Sequence, residues 1–264
     1  MTVAEALRLA VQRLTAAGVD TPEVDSELLV AHVLGTSRSG VHAARDREVP
    51  EEFEALLERR SSREPLAYVL GDWGFRRLTL KTDARALVPR PETEVVVERC
   101  LALLRDETEP RVLDLGTGTG AIALAIADEH PGARVTAVDA SPEALALARE
   151  NADALELSVE LRSGAVETAA EGWDLVVSNP PYVAPADWEK LQPEIHDWEP
   201  RAALVGEGLH DEIARVADTR MLVLEVGDGQ AESAASALRS FGYGDVTITP
   251  DLTGKERVVE GRRT

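Results

Sequence analysis

The feature that most constrains this chain is a short apolar strand that runs directly into two consecutive prolines. Residues 175–177 (Leu-Val-Val) are typical of a strand buried on both faces, which must end at Pro180 and Pro181 because neither can donate to a neighbouring strand. Asn179 then lies at the carboxyl edge of the sheet, where open α/β sheets bind ligands. The Asn oxygen, the carbonyls beside the prolines and the flat ring of Tyr182 together suit a planar –NH2 group. By itself, Asn-Pro-Pro is also typical of a simple turn that ends a strand.

The composition excludes several classes of protein. The 264 residues are enough for one large or two smaller domains, and no run of about 18 apolar residues could span a membrane. The N-terminal residues lack the pattern of a signal peptide, so we expect a cytoplasmic protein. The single cysteine, Cys100, excludes an internal disulfide and a multi-cysteine metal site, and we predict no metal. The net charge of −20 argues against a long nucleic-acid footprint.

The N-terminal quarter is predicted to be a small bundle of antiparallel helices. Thr2 and Glu5 have the spacing of a capping box at the start of the first helix. The predicted helices cover about residues 2–17, 21–34 and 50–60. Glycines and alternating leucines after residue 70 predict a β-hairpin. We therefore expect a helical domain over residues 1–70 and a hairpin connector over residues 71–86.

From residue 87 to residue 264 the chain alternates between strands and helices. The predicted strands are residues 111–115, 134–139, 159–162, 175–177, 221–227, 245–249 and 257–260. The predicted helices are residues 95–104, 122–128, 144–151 and 231–240. This alternation predicts an α/β fold with a mostly parallel, doubly wound sheet, closed by an antiparallel hairpin.

A glycine-rich turn follows the first strand of this second domain. Gly116-x-Gly118-x-x-Ala121, with Asp139 about 20 residues later, matches the fingerprint of dinucleotide-binding proteins, in which the acid binds a ribose diol. Asp114, however, lies on the strand itself, where its carboxylate would face an ammonium more usefully than a pyrophosphate. The Asn-Pro-Pro-Tyr stretch also has no role in hydride transfer. The pattern therefore favours a nucleotide cofactor other than that of a dehydrogenase.

The glycine-rich turn and the proline loop together resemble a known enzyme family. Residues 112–120 (Val-Leu-Asp-Leu-Gly-Thr-Gly-Thr-Gly) resemble the cofactor loop of class I S-adenosylmethionine-dependent methyltransferases, and residues 179–182 are similar to the amino-methyltransferase signature. The chain is, more specifically, similar to the protein-(glutamine-N5) methyltransferases that modify peptide-chain release factors (the HemK/PrmC family). The stretches that carry this resemblance are residues 64–71, 89–94, 178–182, 199–204 and 251–258.

The resemblance implies a fold, a cofactor and a substrate. The implied fold is a doubly wound seven-stranded methyltransferase sheet with a small N-terminal helical substrate-recognition domain and a β-hairpin connector. S-adenosylmethionine is the implied methyl donor. The implied acceptor is the glutamine amide nitrogen of the Gly-Gly-Gln motif in class 1 release factors. We expect a monomer that contacts neither nucleic acid nor a membrane.

The same resemblance implies roles for individual residues. The implied cofactor-binding residues are Asp114, Gly116, Thr117, Gly118, Thr119, Gly120, Asp139, Ala165 and Asn179. The implied catalytic residues are Asn179, Pro180 and Tyr182. The implied substrate-binding residues are Asn179, Pro180, Pro181, Tyr182, Arg90 and Glu92.

One stretch departs from the family pattern. Family members commonly have an acid followed by a large aromatic residue after the third strand, against the adenine, whereas residues 163–167 here are Ser-Gly-Ala-Val-Glu. Ala165 is then expected to contribute only a backbone contact, or the adenine packs on Val166 or Ala140.

Three other functions are compatible with parts of the pattern. The same Asn-Pro-Pro-Tyr could present the amino group of a flipped base in a nucleic-acid N-methyltransferase, although the net charge of −20 argues against it. A ribosomal-protein glutamine methyltransferase shares much of the pattern. A non-catalytic protein that binds release factors is a third alternative, which the intact Asn179 and glycine loop disfavour.

Overall fold

The computed structural model describes residues 1–263, and the chain divides into two compact units. The first unit comprises Met1–Asp72 together with Leu191–Trp198. The second comprises Trp73–Lys190 and the residues from Glu199 onward. Nothing in the sequence indicated that the short segment 191–198 belongs with the N-terminal helices.

The first unit consists mainly of helices. Its helices are α1 (Val3–Ala16), α2 (Pro22–Leu34), α3 (Arg38–Ala43), α4 (Glu52–Ser61) and α5 (Leu66–Leu70), together with Pro193–His196 from the returning segment. The predicted capping box is present, since the Thr2 hydroxyl accepts from the Glu5 amide and the Glu5 carboxylate accepts from the Thr2 amide. Leu14, Leu29, Phe53 and Leu57 form the centre of its core. Helices α3 and α5 were not predicted, because six and five residues are too few to show a helical period.

A buried ion-pair network joins the returning segment to the helices of the first unit. The Arg60 guanidinium donates to the Asp25 carboxylate at 2.7 Å and to the Glu194 carboxylate at 2.9 Å. Arg63 donates to the same Glu194 carboxylate at 2.5 Å. The Arg60 and Asp25 side chains are each 6% exposed. Burial of these charges is tolerated because each is paired with an opposite charge. Glu194 thereby holds the segment 191–198 to this unit.

The second unit contains the predicted seven-stranded sheet, preceded by a separate two-stranded hairpin. The hairpin strands are β1 (Asp72–Phe75) and β2 (Leu78–Lys81). The sheet strands are β3 (Arg111–Leu115), β4 (Arg134–Asp139), β5 (Glu160–Ser163), β6 (Trp173–Ser178), β7 (Thr219–Glu225), β8 (Gly244–Pro250) and β9 (Glu256–Arg262). Their order in the sheet is β5-β4-β3-β6-β7-β9-β8. The first five are parallel, and β9 runs antiparallel to both of its neighbours.

Helices cover both faces of this sheet, as a doubly wound fold requires. They are α6 (Thr93–Leu103), α7 (Ala121–Glu129), α8 (Pro142–Ala154), α10 (Leu209–Val216) and α11 (Ala231–Ser240), where α9 is the segment Pro193–His196. Along β6, Leu175 and Val177 pack into the core that contains α6 and α7, whereas Val176 packs into the core that contains α10 and α11. The predicted two-sided burial of this strand is therefore confirmed.

Most differences from the predicted elements lie at their ends. Helix α10 was not predicted, because its eight residues contain four that are charged or histidine. The closing strands β8 and β9 extend beyond the predicted 245–249 and 257–260. Among the described residues, none of the helices combines the length and the apolar character needed to cross a bilayer.

Candidate active site

A cavity of about 370 Å³ opens at the carboxyl ends of the parallel strands in the second unit. Its volume is that of an ordinary small-molecule site. The predicted site residues that line it are Arg90, Gly116, Thr117, Gly118, Thr119, Asp139, Ala165, Asn179, Pro180 and Pro181. The predicted site residues that do not line it are Glu92, Asp114, Gly120 and Tyr182. Two distant parts of the sequence, the glycine loop and the proline loop, thus meet at one cavity.

The glycine loop between β3 and α7 leaves open space where a ligand can approach the backbone. Gly116 and Gly118 have φ of +80° and +55°, a conformation that side-chain-bearing residues rarely adopt. A methyl group added at Gly116 would meet no atom within 4 Å, so the backbone is exposed to the cavity there. Gly120 differs, since a methyl group would lie 3.0 Å from the Leu124 side chain. Gly120 is therefore needed for the turn and for packing.

Asp139 lies at the end of β4 and lines the cavity. One of its carboxylate oxygens accepts from the Gly118 amide at 2.9 Å, and the other accepts from the Ser141 amide at 2.9 Å. The carboxylate therefore links the glycine loop to the start of α8. Its place at the strand's carboxyl end is where a ribose-binding acid is found in related α/β folds.

Asp114 is buried beneath the glycine loop. Its Oδ2 accepts from the Thr117 hydroxyl at 2.6 Å and from the Ala123 amide at 3.2 Å, while Oδ1 has no hydrogen-bond partner among the described residues. Complete burial raises the pKa of this carboxyl group to about 7. The predicted contact of Asp114 with a cofactor ammonium stays a prediction. What the structure adds is that this carboxylate braces the loop through Thr117.

The proline loop is attached to both of its neighbouring strands. The Ser178 hydroxyl donates to the Leu115 carbonyl of β3 at 2.7 Å. The Asn179 side-chain amide donates to the Thr93 hydroxyl at 3.3 Å, and that hydroxyl donates to the Glu225 carboxylate at 2.7 Å. Pro180 is buried in the wall of the cavity. These contacts hold Asn179 at the edge of the sheet.

Tyr182 packs away from the cavity, against the loop that follows β7. A methyl group added at Gly227 would lie 2.9 Å from the Tyr182 ring, so the ring rests on that glycine. Gln230 connects the two loops, because its amide donates to the Tyr182 carbonyl at 3.0 Å and accepts from the Gly227 amide at 3.0 Å. Burial raises the pKa of the Tyr182 phenol to about 12. Its predicted contact with a substrate amide stays a prediction.

Arg90 lines the cavity and forms an ion pair with the buried carboxylate of Glu199. The guanidinium donates to Glu199 Oε1 at 2.5 Å, and the second carboxylate oxygen accepts from the Val88 amide at 3.4 Å. The Glu199 side chain is 1% exposed, and this burial raises the pKa of its carboxyl group. Glu92 precedes α6 and lies outside the cavity wall.

The end of the cavity beside β4 and β5 is lined by small residues. They are Ala140, Ser141, Ala144, Gly164, Ala165 and Val166. Both residues proposed as substitutes for the missing aromatic, Ala140 and Val166, are thus in the wall together with Ala165.

Three polar residues at this site were given no role from the sequence. Thr93 and Glu225 connect to Asn179, and Glu199 binds Arg90. Glu225 carried a signal that could have been used, because it is an acid at the end of an apolar strand, as Asp114 and Asp139 are. Thr93 lies in the stretch 89–94 that carries the family resemblance, but nothing local distinguishes its role from that of its charged neighbours.

Comparison with known proteins identifies the family. Residues 5–71 match the family model of the PrmC N-terminal domain, and residues 95–194 match that of the methyltransferase small domain. The release factor glutamine methyltransferase of Deinococcus radiodurans is 43% identical over 278 residues, which cover 100% of this chain and 99% of that protein. The chain belongs to the release factor glutamine methyltransferase family. Another member, from Cereibacter sphaeroides, is 40% identical and covers 99% of each chain.

Solved structures agree with the fold. The hMettl16 catalytic domain, solved in complex with an RNA hairpin, superposes with a TM-score of 0.60 at 17% identity and covers 78% of this chain and 82% of that one. A methyltransferase from Pyrococcus furiosus superposes with a TM-score of 0.51 at 17% identity, covering 70% of this chain and 88% of that one. The predicted α/β methyltransferase fold is confirmed. The protein is an S-adenosylmethionine-dependent methyltransferase of this family.

Proposed function

We propose that this enzyme transfers a methyl group from S-adenosylmethionine to the side-chain amide nitrogen (N5) of the glutamine in the Gly-Gly-Gln motif of class 1 release factors. The observation that carries the proposal is the meeting of the glycine loop and the Asn179-Pro180-Pro181 loop at one cavity. The names of the full-length relatives support the same substrate. The nucleic-acid alternative has no observation of its own here, since the likeness to hMettl16 concerns the fold alone.

The residues of the cavity fit the proposed cofactor. Gly116 and Gly118 leave the backbone open to a ligand, and Asp139 offers a carboxylate for the ribose hydroxyls. The buried Asp114 oxygen without a partner is a group that a nearby ammonium would stabilise in its charged form. S-adenosylmethionine supplies an electrophilic methyl group on its sulfonium when it is bound.

The proline loop is proposed to hold the substrate amide. In the described chain, none of the backbone–backbone hydrogen bonds of loops and turns ends on the Pro180 carbonyl. We propose that this carbonyl and the Asn179 side-chain oxygen accept the two N–H bonds of the glutamine amide. Such alignment can lower a barrier by about 7 kcal/mol or more in favourable cases. Tyr182 and Pro181 are proposed to pack on the amide plane, Tyr182 after a change of its present contact with Gly227.

The two oxygen acceptors also make the glutamine amide nitrogen, a weak nucleophile, easier to methylate. An amide nitrogen has a delocalised lone pair, and positive charge develops on it as the new bond forms. Oxygen atoms fixed around that nitrogen stabilise this charge, which is the reverse of an oxyanion hole. The methylated nitrogen is strongly acidic before it loses its proton, so water can accept that proton and no strong general base is required.

The remaining predictions concern the partner and its binding. We propose that residues 1–70 recognise the release factor, that residues 71–86 connect them to the catalytic residues 87–264, and that Arg90 and Glu92 lie beside the bound substrate. We also propose that the enzyme acts as a monomer in the cytoplasm, where release factors act.

A methyl-transfer assay tests this proposal. Labelled S-adenosylmethionine would be supplied with purified release factor, with the same factor after replacement of the loop glutamine, with ribosomal proteins and with duplex DNA. We expect label only on the intact release factor. Label on DNA or on a ribosomal protein in preference to the release factor would contradict the proposed substrate, and tight binding without transfer would indicate a non-catalytic binding protein.

A further inference from the structure

A chain of three polar side chains connects the proposed amide-binding residue to a buried acid. We infer that Thr93 and Glu225 are positioning residues, which set the direction in which the Asn179 side-chain amide faces. The inference rests on the proposed function, since it concerns the oxygen that is proposed to accept from the substrate. Neither residue was given a role from the sequence.

The three residues come from separate elements that meet at the end of the sheet. Glu225 is the last residue of β7, Thr93 is the first residue of α6, and Asn179 directly follows β6. Glu225 is 1% exposed and Thr93 is 5% exposed, so water does not compete for their hydrogen bonds. The Thr93 hydroxyl lies 2.7 Å from the Glu225 carboxylate and 3.3 Å from the Asn179 amide nitrogen.

The chemistry of the groups imposes a direction on this chain. An ionised carboxylate can only accept hydrogen bonds, so the Thr93 hydroxyl must donate its one proton to Glu225. The same hydroxyl then has only lone pairs left for Asn179, and it can be satisfied only by the amide –NH2 group. The Asn179 oxygen must consequently point away from Thr93. Since Asn179 lines the cavity, this leaves the oxygen available to an N–H donor there.

The direction of the Asn179 side-chain amide depends on whether the Glu225 carboxyl group is charged. Burial is the largest influence on this carboxyl group; the hydrogen bond from Thr93, the charge of Arg257 and a side-chain hydrogen bond from Asn179 itself favour the charged form, whereas Glu92 opposes it. Tyr182 also interacts with the charge of this carboxylate. His210 forms a hydrogen bond with the backbone carbonyl of Glu225. Burial raises the pKa of Glu225 to about 7. A protonated Glu225 could donate to Thr93, whose proton would then be free for the Asn179 oxygen, and the constraint would be lost.

Two variants of Thr93 distinguish the effect of its hydroxyl group from the effect of its side-chain shape. Thr93→Val keeps the shape and removes the hydroxyl, whereas Thr93→Ser keeps the hydroxyl and removes a methyl group. We expect Thr93→Val to lower kcat by about 10–100-fold, with KM for both substrates within about threefold of wild type, because misplacement of a reacting group costs rate more than binding. We expect Thr93→Ser to stay within about threefold of wild type in kcat.

A buried threonine outside the site is the matched control. Thr219, at the start of β7, is also 5% exposed, and its hydroxyl donates to the Met221 carbonyl. Thr219→Val should leave kcat unchanged. Wild-type kcat in Thr93→Val, or equal losses in Thr93→Val and Thr93→Ser, would overturn the inference.

The pH profile tests Glu225 separately. Wild-type kcat should fall as the pH is lowered through about 7, and Glu225→Gln should have a lower kcat without this limb, since a glutamine amide can both donate and accept. Because burial also raises the pKa of Asp114 to about 7, the profile is recorded at saturating S-adenosylmethionine, whose ammonium is proposed to keep Asp114 charged. Retention of the limb in Glu225→Gln under that condition would overturn the role of Glu225.

A measurement without turnover keeps the inference apart from the proposed function. The side-chain –NH2 signals of Asn179, assigned in the NMR spectrum by their absence in Asn179→Ala, should exchange slowly in wild type and in Thr93→Ser but quickly in Thr93→Val. Fast exchange in the wild type would overturn the inferred direction, whether or not methyl transfer is observed. Slow exchange without any transfer to a release factor would contradict the proposed function alone.

Discussion

Replacement of Arg90 by alanine should lower the free energy of unfolding more than neutralisation of its partner Glu199 does. Glu199 is almost fully buried, at 1% exposure of its side chain, whereas Arg90 is 30% exposed. Arg90→Ala leaves a charged carboxylate buried without a counter-ion, and loss of one partner of a fully buried pair costs about 3–5 kcal/mol. Because solvent reaches part of Arg90, we expect about 2–3 kcal/mol here.

The partner variant has a smaller effect. In Glu199→Gln, the amide oxygen still accepts from Arg90, and the guanidinium retains access to water, so the expected cost is about 1 kcal/mol. For a chain of this size, 1 kcal/mol corresponds to about 2–4 °C in the midpoint of thermal unfolding. Arg90→Ala should therefore lower that midpoint by about 4–12 °C and Glu199→Gln by about 2–4 °C.

The loss in Arg90→Ala should also depend on pH. Burial raises the pKa of Glu199 in the folded chain, and removal of the guanidinium raises this pKa further. The folded state then binds a proton that the unfolded state releases, so stability falls as the pH rises from the unfolded pKa through the folded pKa. Calorimetry at pH 5 and pH 8 should show a smaller deficit of Arg90→Ala at pH 5.

The double variant Arg90→Ala/Glu199→Gln decides whether the buried charge is the cause. It removes both charges, so its unfolding midpoint should lie above that of Arg90→Ala alone. A midpoint equal to or below that of Arg90→Ala, or a deficit that grows at pH 5, would refute the reasoning.

Three further predictions concern single residues. Asp139→Asn should weaken S-adenosylmethionine binding by about 10–100-fold in calorimetry, because hydrogen bonds to a charged group contribute about 1.5–3 kcal/mol; an unchanged Kd would exclude the ribose contact. Gly120→Ala should lower the unfolding midpoint by more than Gly35→Ala does, since both have positive φ but only Gly120 would also meet a side chain, Leu124, at 3.0 Å; equal shifts would contradict this. Burial raises the pKa of Cys100, so a thiol reagent should label it only after unfolding, and rapid labelling of the native enzyme would contradict its burial.

The sequence predicted those parts of the fold that depend on strong local patterns. The apolar strand that ends at Pro180 and the glycine loop are visible because prolines and glycines restrict the backbone directly. Their meeting at one cavity followed from the rule that parallel strands present their carboxyl ends at a common edge. The family resemblance then implied the arrangement of the helical domain, the hairpin and the seven-stranded sheet along the chain.

The sequence did not predict contacts that depend on the packing of distant elements. Thr93 and Glu225 are 132 residues apart, and only the folded sheet brings the start of α6 to the end of β7. The return of the segment 191–198 to the helical unit depends in the same way on Glu194 and its distant arginines. The packing of the Tyr182 ring on Gly227 likewise depends on the loop after β7, which no local pattern brings to the proline loop.

The most direct test of the central claim is mass spectrometry of the release-factor loop after reaction with the wild-type enzyme and with Asn179→Ala. We predict one methyl group on the glutamine of the Gly-Gly-Gln peptide with wild type, and a rate about 10²–10³-fold lower with Asn179→Ala, the range seen when one polar group that stabilises a transition state is removed. Methyl transfer to another residue, or an undiminished rate in Asn179→Ala, would contradict the account.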